Sequence, residues 1–334
     1  MAQRESPIRI SERSAMPHVA AGTRAGRARY RTVTLASLVA AIAQVALGGV
    51  VRVTGSGDAC PDWPLCHGQI IPPFDYHIWL EFTHRLAATA VGFLVVASLV
   101  LAWRHLRASK PALVATGAST VLVVAAAVLG GITVLSELSW WTRLIHLGLA
   151  ELTVAGLAVA WLAGPPDDGS DDPQDLDTGG SRRDRRLAWA GLSGLLVTIL
   201  FGSYMVGMNY GAACPSWPLC VGTSIPGGTP FVINMTHRYM VAIVAVVVFR
   251  TCFVAWRQGA ARGQLRWLAA LTAGFLVIEI GVGALTAWMG STPLIASLHL
   301  VFATMSWVSM VLMVAVQFDP ETFRVRSRYP GRAG

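Results

Sequence analysis

Apolar residues fall in eight long blocks along the chain, and each block is nearly free of charged side chains. A block of about 20 residues is the length that an α-helix needs to cross the hydrocarbon core of a bilayer. A helix also satisfies its own backbone hydrogen bonds in lipid, which an isolated strand cannot do. The pattern therefore predicts eight transmembrane helices, at residues 33–51, 82–103, 112–135, 141–162, 187–207, 235–256, 266–289 and 293–316.

The overall composition supports this interpretation. The 334 residues are 54% hydrophobic and 13% charged, whereas a soluble domain carries about 25% charged residues. A soluble protein with a large buried core is therefore excluded in favour of an integral membrane protein.

The positive charges mark one side of the membrane. Lysine and arginine, which give a net charge of +8, are concentrated in the N-terminal tail, in alternate connections and at the C-terminus. By the positive-inside rule, this distribution predicts a multi-pass protein of the cell membrane with both termini in the cytoplasm. Because the charge is explained by topology, it does not indicate nucleic-acid binding. We expect three cytoplasmic segments: a disordered basic tail at 1–31, a Pro-, Gly- and Asp-rich linker at 164–186 and a tail at 318–334.

The chain is internally repeated. Residues 82–104 align with residues 235–257 at an offset of 153, and the same offset brings His146 onto His299 and Gly130 onto Gly283. Each copy contains four apolar blocks, an even number, so both copies enter the membrane from the same side. We therefore predict an all-α protein of two tandem four-helix bundles, 32–163 and 187–317, related by a pseudo-two-fold axis along the membrane normal.

Four of the five cysteines lie in two copies of one loop, CPDWPLC at 60–66 and CPSWPLC at 214–220. The predicted topology places both loops outside the cytoplasm, where disulfides persist. The spacing differs from the C-x₂-C spacing of zinc ribbons and thioredoxin-like sites. Structural disulfides, Cys60–Cys66 and Cys214–Cys220, are the favoured interpretation, with a redox-active pair and a metal site as alternatives.

Four histidines belong to the repeat, and they form two matched pairs near the outer ends of the even-numbered helices: His84 with His146, and His237 with His299. Ionisable side chains inside membrane spans are costly and usually functional. One imidazole from each of two helices is an arrangement that ligates haem iron axially. The pattern predicts one haem per half. Another metal, which would need further ligands, and a purely structural role remain alternatives.

The two halves differ in their charged residues. Glu81 lies one helical turn before His84 on the same helix face, and its counterpart in the second half is Asn234. Arg52 likewise has an uncharged counterpart, and the membrane acids Glu151 and Glu279 are unpaired in the repeat and have no assigned role. The asymmetry suggests that one haem site performs chemistry while the other keeps its haem. A simple helix-terminal role for Glu81 is the alternative.

The motifs GGVVRVTGSGDACPDWPLCHG (48–68) and EFTHR (81–85), together with His146, the second CPxWPLC loop, the second THR and His299, resemble the haem A synthase family over residues 32–316. The resemblance implies an eight-helix duplicated oxidoreductase that oxidises the C8 methyl group of haem O to a formyl group, giving haem A for terminal oxidases. It further implies haem b as the cofactor on His237 and His299, and substrate haem O on His84 and His146. Glu81 would be the catalytic acid/base or cation stabiliser, and haem O synthase a candidate partner.

The paired loop cysteines look like those of the two-disulfide subgroup of that family. The alternative function is a dihaem b-type membrane electron-transfer cytochrome. It is disfavoured because all four histidines are expected near one face of the membrane, whereas a relay across the membrane needs haems near both faces.

Overall fold

The computed structural model describes residues 17–107, 109–164, 181–220, 227–259, 263–290 and 292–318. These residues form eight helices, each long and apolar enough to cross a membrane. The helices are α1 (Pro17–Val53), α2 (Tyr76–His105), α3 (Lys110–Leu135), α4 (Trp140–Leu162), α5 (Arg182–Gly207), α6 (Thr229–Gln258), α7 (Gly263–Met289) and α8 (Pro293–Phe318). Within the described part of the chain, the one extended pairing is an isolated bridge between Cys66 and Gln69. The predicted all-α class with eight spans is confirmed.

Side chains cap the beginnings of α2 and α5. Asp75 precedes α2, and its side chain accepts hydrogen bonds from the backbone N–H groups of His77 at 2.9 Å and Ile78 at 3.2 Å. Ser181 caps α5 in the same way through the N–H of Asp184. Such side chains satisfy backbone donors that have no partner inside the helix.

Several helices begin earlier than the sequence predicted, and two of them, α1 and α5, begin inside a predicted tail or linker. α1 starts at Pro17, so residues 17–31 of the expected disordered tail are helical, and α5 starts at Arg182 within the expected linker. Tyr30 explains part of the difference because it is fully buried and its hydroxyl donates to the carbonyl of Ala160 at 2.9 Å. That contact holds the beginning of α1 against α4. The rest of the predicted tails and linker, 1–16, 165–180 and 319–334, lies outside the described residues.

The halves meet along three helix pairs. α1 packs against α8, α4 packs against α5, and α4 also packs against α8. Exchanging the halves converts the first pair into the second and leaves the third unchanged, which is the pattern expected of the predicted two-fold axis. The axis itself stays a prediction. We call the end of the bundle that carries residues 54–75 and 208–220 the disulfide-loop end.

Candidate functional site

Each repeated histidine packs against a glycine of the preceding helix. His84 and His237 lie in the third turn of α2 and α6, and His146 and His299 in the second turn of α4 and α8. A Cβ atom added to the facing glycine would lie closer to the imidazole Cε1 than an ordinary van der Waals contact. The distances would be 2.9 Å at Gly48, 3.2 Å at Gly130, 3.0 Å at Gly202 and 3.0 Å at Gly283. Any larger residue would displace the ring, so the four glycines define where the four imidazoles lie.

The structure places the two histidines of each half in the same part of the bundle. His84 and His146 lie close enough for their charges to interact, as do His237 and His299. In the described part of the chain, no group of three or more His, Cys, Asp or Glu side chains is placed to hold a metal ion. A structural zinc site needs about four such ligands, whereas axial ligation of haem iron needs two. The histidine pairs therefore fit haem better than an isolated metal ion.

The Nδ1 atoms of the second histidine in each half face different acceptors. Nδ1 of His146 donates to the backbone carbonyl of Ala126 at 2.9 Å, which leaves Nε2 without a proton and able to bind iron. Nδ1 of His299 lies 3.0 Å from Oε1 of Glu279. Glu279 is therefore brought next to a candidate iron ligand, a role that the sequence left unassigned.

The first histidines of the two halves also have different neighbours. The side-chain amide of Gln44 lies 3.0 Å from Nδ1 of His84 and donates to the His84 carbonyl at 3.0 Å. His237 has no such partner among the described residues, and its ring stacks on Phe201 with 6.3 Å between centroids and an interplanar angle of 8°. The four imidazoles thus occupy similar positions in four distinct surroundings.

An arginine next to the first histidine of each half holds the disulfide loop. Arg85 donates to the backbone carbonyls of Asp62 and Leu65, both at 2.6 Å, and of Cys60 at 2.8 Å. Arg238 donates to the carbonyls of Cys214 at 2.9 Å, Pro218 at 3.2 Å and Ser216. A planar guanidinium presents five N–H donors in a fixed fork, which suits it to several carbonyls at once. In both halves the loop is therefore joined to the helix that carries the histidine.

Glu81 is buried and both of its carboxylate oxygens have partners. Oε2 accepts the backbone N–H of Cys60 at 2.8 Å, and Oε1 forms an ion pair with Arg85. The counterpart Asn234 instead donates to the carbonyls of Tyr210 and Gly211, each at 3.1 Å. Both side chains tie the loop to the helix, but the first half alone places a carboxylate there.

Both cysteine pairs are joined as disulfides, with Cα–Cα separations of 4.8 Å for Cys60–Cys66 and 5.5 Å for Cys214–Cys220. Cys252 is a free, buried thiol. In the first loop, Asp62 accepts the backbone N–H groups of His67 at 2.6 Å and Gly68 at 2.8 Å. Those hydrogen bonds, the one from Gly68 first, lower the pKa of the Asp62 carboxyl below its ordinary value. The first loop is thus held by its disulfide bond and by the hydrogen bonds to Asp62 within the loop.

The first disulfide loop also covers the helix that precedes His146. The indole of Trp63 packs on Gly131 of α3, where an added Cβ would lie 2.8 Å from the ring. Gly131 follows Gly130, the glycine that contacts His146, so the loop packs on α3 at the level of that histidine contact. In the second half, Trp217 packs edge-on against Trp288 of α7 at 5.9 Å between centroids.

Arg52 connects the halves at the disulfide-loop end. Its guanidinium donates to the hydroxyl of Ser203 at 3.0 Å and to the Ser203 carbonyl at 2.8 Å, both on α5. Arg52 therefore contacts the second half, whereas the partners of Glu81 are Cys60 and Arg85. The sequence could not reveal this contact, nor the glycines beneath the histidines, because helix rotation and the packing of the halves are not encoded in the repeat offset.

The fold and site together define a duplicated multi-pass membrane protein with a candidate bis-histidine site in each half. A family model described as COX15-CtaA, cytochrome oxidase assembly protein, matches residues 31–77 and 73–311. The chain belongs to this family. It is also similar to three curated proteins, each named "Heme A synthase".

The first is from Rhodospirillum centenum, 28% identical over 80% of this chain and 83% of the relative. The second, from Symbiobacterium thermophilum, is 30% identical over 76% of this chain and 84% of the relative. The third, from Staphylococcus saprophyticus, is 26% identical over 81% and 89%.

Proposed function

We propose that the protein is a haem A synthase, an oxidoreductase that converts the C8 methyl group of haem O into a formyl group. The observation that carries the proposal is the pair of repeated histidines in each half, each imidazole fitted against a glycine. The family membership and the names of the relatives support it. In the conversion two of the three methyl C–H bonds are broken and a C=O bond is formed, so one oxygen atom, from water or dioxygen, must enter and four electrons must leave the carbon. The site therefore needs a redox partner and groups that manage charge beside the reacting carbon.

The first half is the proposed substrate site. His84 and His146 would hold the iron of haem O, because this half alone has an acid one turn from a histidine. The Nδ1 contact of His146 with a backbone carbonyl fixes the tautomer that binds iron through Nε2. Trp63 covers the neighbouring α3 and would limit access of water.

The second half is the proposed cofactor site. His237 and His299 would hold haem b, which supplies one-electron redox chemistry when bound. The chain's own residues hold the ligands in place: Phe201 stacks on His237, Gly202 and Gly283 fix the two ring positions, and Glu279 lies beside His299.

Glu81 is the proposed catalytic residue of the first half. Its carboxylate would stabilise positive charge that develops on the substrate or would accept a proton at Oε1 or Oε2. Oε2 accepts the Cys60 N–H and Oε1 pairs with Arg85, and a carboxylate has about four lone-pair sites, so each oxygen can still accept a proton. The loop, Arg85 and Glu81 form one hydrogen-bonded unit that holds the carboxylate in place.

The disulfide-loop end is proposed to face the outside of the cell membrane. Described arginines at the opposite end include Arg104, Arg107, Arg182, Arg183, Arg257 and Arg266, which is the asymmetry expected of a cytoplasmic face. Haem O is the substrate in this scheme, and a membrane enzyme that makes haem O, haem O synthase, is the proposed source.

Haem extraction from the purified protein tests the function directly. A haem A synthase contains haem b together with haem O or haem A, and it converts haem O when an electron partner is supplied. A preparation that binds two equivalents of haem b and never haem O or haem A would instead support the electron-transfer cytochrome. A folded protein without any haem would contradict both functions.

A further inference from the structure

His299 and Glu279 form the one contact in the described part of the chain between a repeated histidine and a carboxylate. Nδ1 of His299 lies 3.0 Å from Oε1 of Glu279. Both Glu279 and Gly283 are on α7, one helical turn apart, and both face the same imidazole. α7 therefore contacts the His299 ring at two points. Gly283 leaves room for Cε1, and the Glu279 carboxylate lies beside Nδ1.

The first half provides an internal comparison. The residue at the position of Glu279 is Ala126, and there Nδ1 of His146 donates to the neutral backbone carbonyl at 2.9 Å. The glycine contact is the same in both halves, at Gly130 and Gly283. The two histidines therefore differ chiefly in the charge of the group at Nδ1.

The charge of Glu279 is poorly compensated. Its side chain is 14% exposed, and its Oε2 atom has no hydrogen-bond partner among the described residues. His299, whose side chain is 35% exposed, is its ion-pair partner in the described part of the chain. The Nδ1–Oε1 contact is close but does not have the geometry of a hydrogen bond.

We infer that Glu279 is a positioning residue that orients His299 as an iron ligand and lowers the reduction potential of the haem in the second half. The inference rests on the proposed function, since it requires a haem on His237 and His299. A carboxylate at the outer nitrogen of a ligating histidine fixes the ring tautomer and makes the other nitrogen a stronger donor. Its negative charge also favours the ferric state, which carries one more positive charge than the ferrous state. The first half, with Ala126, has no equivalent charge.

A redox titration of the full-length holoprotein tests the inference. The titration is carried out in a His84→Leu background, so that the proposed substrate site does not contribute a second haem signal. At the midpoint potential of the parent, where half of the haem is reduced, the Glu279→Gln variant should have a ferrous-to-ferric ratio at least about tenfold higher. That ratio corresponds to about 59 mV for a one-electron couple. Glu279→Asp keeps the charge, so its ratio should change less.

Glu151→Gln is the matched control. Glu151 is also a membrane carboxylate and is fully buried, and among the described residues its side chain contacts Thr304 and no histidine. Its replacement should change the ratio much less than Glu279→Gln. Equal shifts in both variants would assign the effect to general loss of buried charge and overturn the inference.

The remaining outcomes separate this inference from the proposed function. Haem retained by Glu279→Gln with an unchanged ratio overturns the inference and leaves the function intact, as does an Asp variant that shifts as far as the Gln variant. If the Gln variant loses its haem, the Asp variant decides: a smaller shift in the same direction supports the inference, and haem loss or no shift overturns it. Absence of a bis-histidine haem from the His84→Leu parent would instead contradict the proposed function.

Discussion

Glu151 and Thr304 hydrogen-bond to each other although each occupies the other's position in the repeat, 153 residues away. Oγ1 of Thr304 donates to Oε1 of Glu151 at 2.7 Å, and Nε1 of Trp307 donates to the Glu151 carbonyl at 3.0 Å. All of this lies inside the α4–α8 contact between the halves. A duplicated chain thus uses a difference between its copies, an acid opposite a hydroxyl, to join them.

This contact predicts the effect of Thr304→Val. The substitution keeps the volume but removes the donor, and a buried acceptor left without its partner costs about 1–3 kcal/mol. We expect a lower melting temperature of the protein in detergent, measured by loss of helical circular dichroism. Ser306→Ala is the control because the Ser306 hydroxyl donates to Phe302 of its own helix. Equal destabilisation by the two variants would mean that the contact between the halves contributes little.

Replacement of the histidines should separate the two haem sites. His237→Leu and His299→Leu should abolish the bis-histidine b-type spectrum of the purified protein, since each removes an axial ligand of the proposed resident haem. His84→Leu and His146→Leu should retain that spectrum and stop the formation of haem A. A uniform loss of one spectrum in all four variants would show that the halves do not divide the two tasks.

Gly283→Ala should impair the second haem site without a change of charge. The added methyl group would lie 3.0 Å from Cε1 of His299, so the ring must move. We expect less haem per polypeptide and an altered absorption spectrum of the haem that remains. Gly274→Ala on the same helix is the control, because an added Cβ there meets no atom within 4 Å. Normal haem binding by Gly283→Ala would show that the glycine contact does not position the ligand.

Removal of one disulfide should weaken its loop but retain some activity. A bond that closes a loop this short stabilises the protein by at most about 2–3 kcal/mol on chain-entropy grounds, and Arg85 still holds the loop carbonyls. Cys60→Ala/Cys66→Ala and Cys214→Ala/Cys220→Ala should both melt at lower temperature. A first-loop variant with normal melting and haem content but no haem A formation would instead assign thiol chemistry to that pair.

Glu81→Gln should slow haem A formation by about 10²–10⁴, the range typical of a lost general acid or base. The amide can still accept the Cys60 N–H, so folding and haem content should be preserved, and haem O or a partly oxidised product should accumulate. The measurement is the haem composition of membranes and of the purified enzyme over time.

Two controls accompany this variant. Arg85→Lys keeps Glu81 but weakens the attachment of the loop, so a similar loss of rate there would show that the loop rather than the carboxylate matters. Asn234→Asp should add no activity. Near-normal haem A production by Glu81→Gln would leave Glu81 with a structural role only.

The sequence predicted the helices well because a membrane span is defined by length and polarity alone. It also singled out the four histidines, since the repeat offset matches His84 with His237 and His146 with His299 between the halves. The contact of Glu279 with His299 could not be predicted from the sequence. Glu279 was recognised as an acid without a counterpart, but its contact with His299 depends on how α7 is rotated against α8. The single signal available was its spacing of one turn from Gly283, a residue already matched in the repeat.

The start of α1 was missed for a related reason. Residues 17–31 carry several charges and resemble a solvated tail, yet Ala and Arg are good helix formers and Tyr30 finds partners on α3 and α4. Such long-range hydrogen bonds cannot be read from local composition.

Arg85 and Arg238 affect which residues of the disulfide loops can be substituted. Arg85 and Arg238 bind backbone carbonyls, which every amino acid provides. The side chains between the cysteines can therefore diverge, as Asp62 and Ser216 already have, without loss of the attachment. The arginines themselves cannot be substituted as freely, because a lysine has a compact ammonium group in place of the planar guanidinium with its five N–H donors. Substitutions that relatives tolerate in these loops should thus be far more numerous than those tolerated at the position after each first histidine.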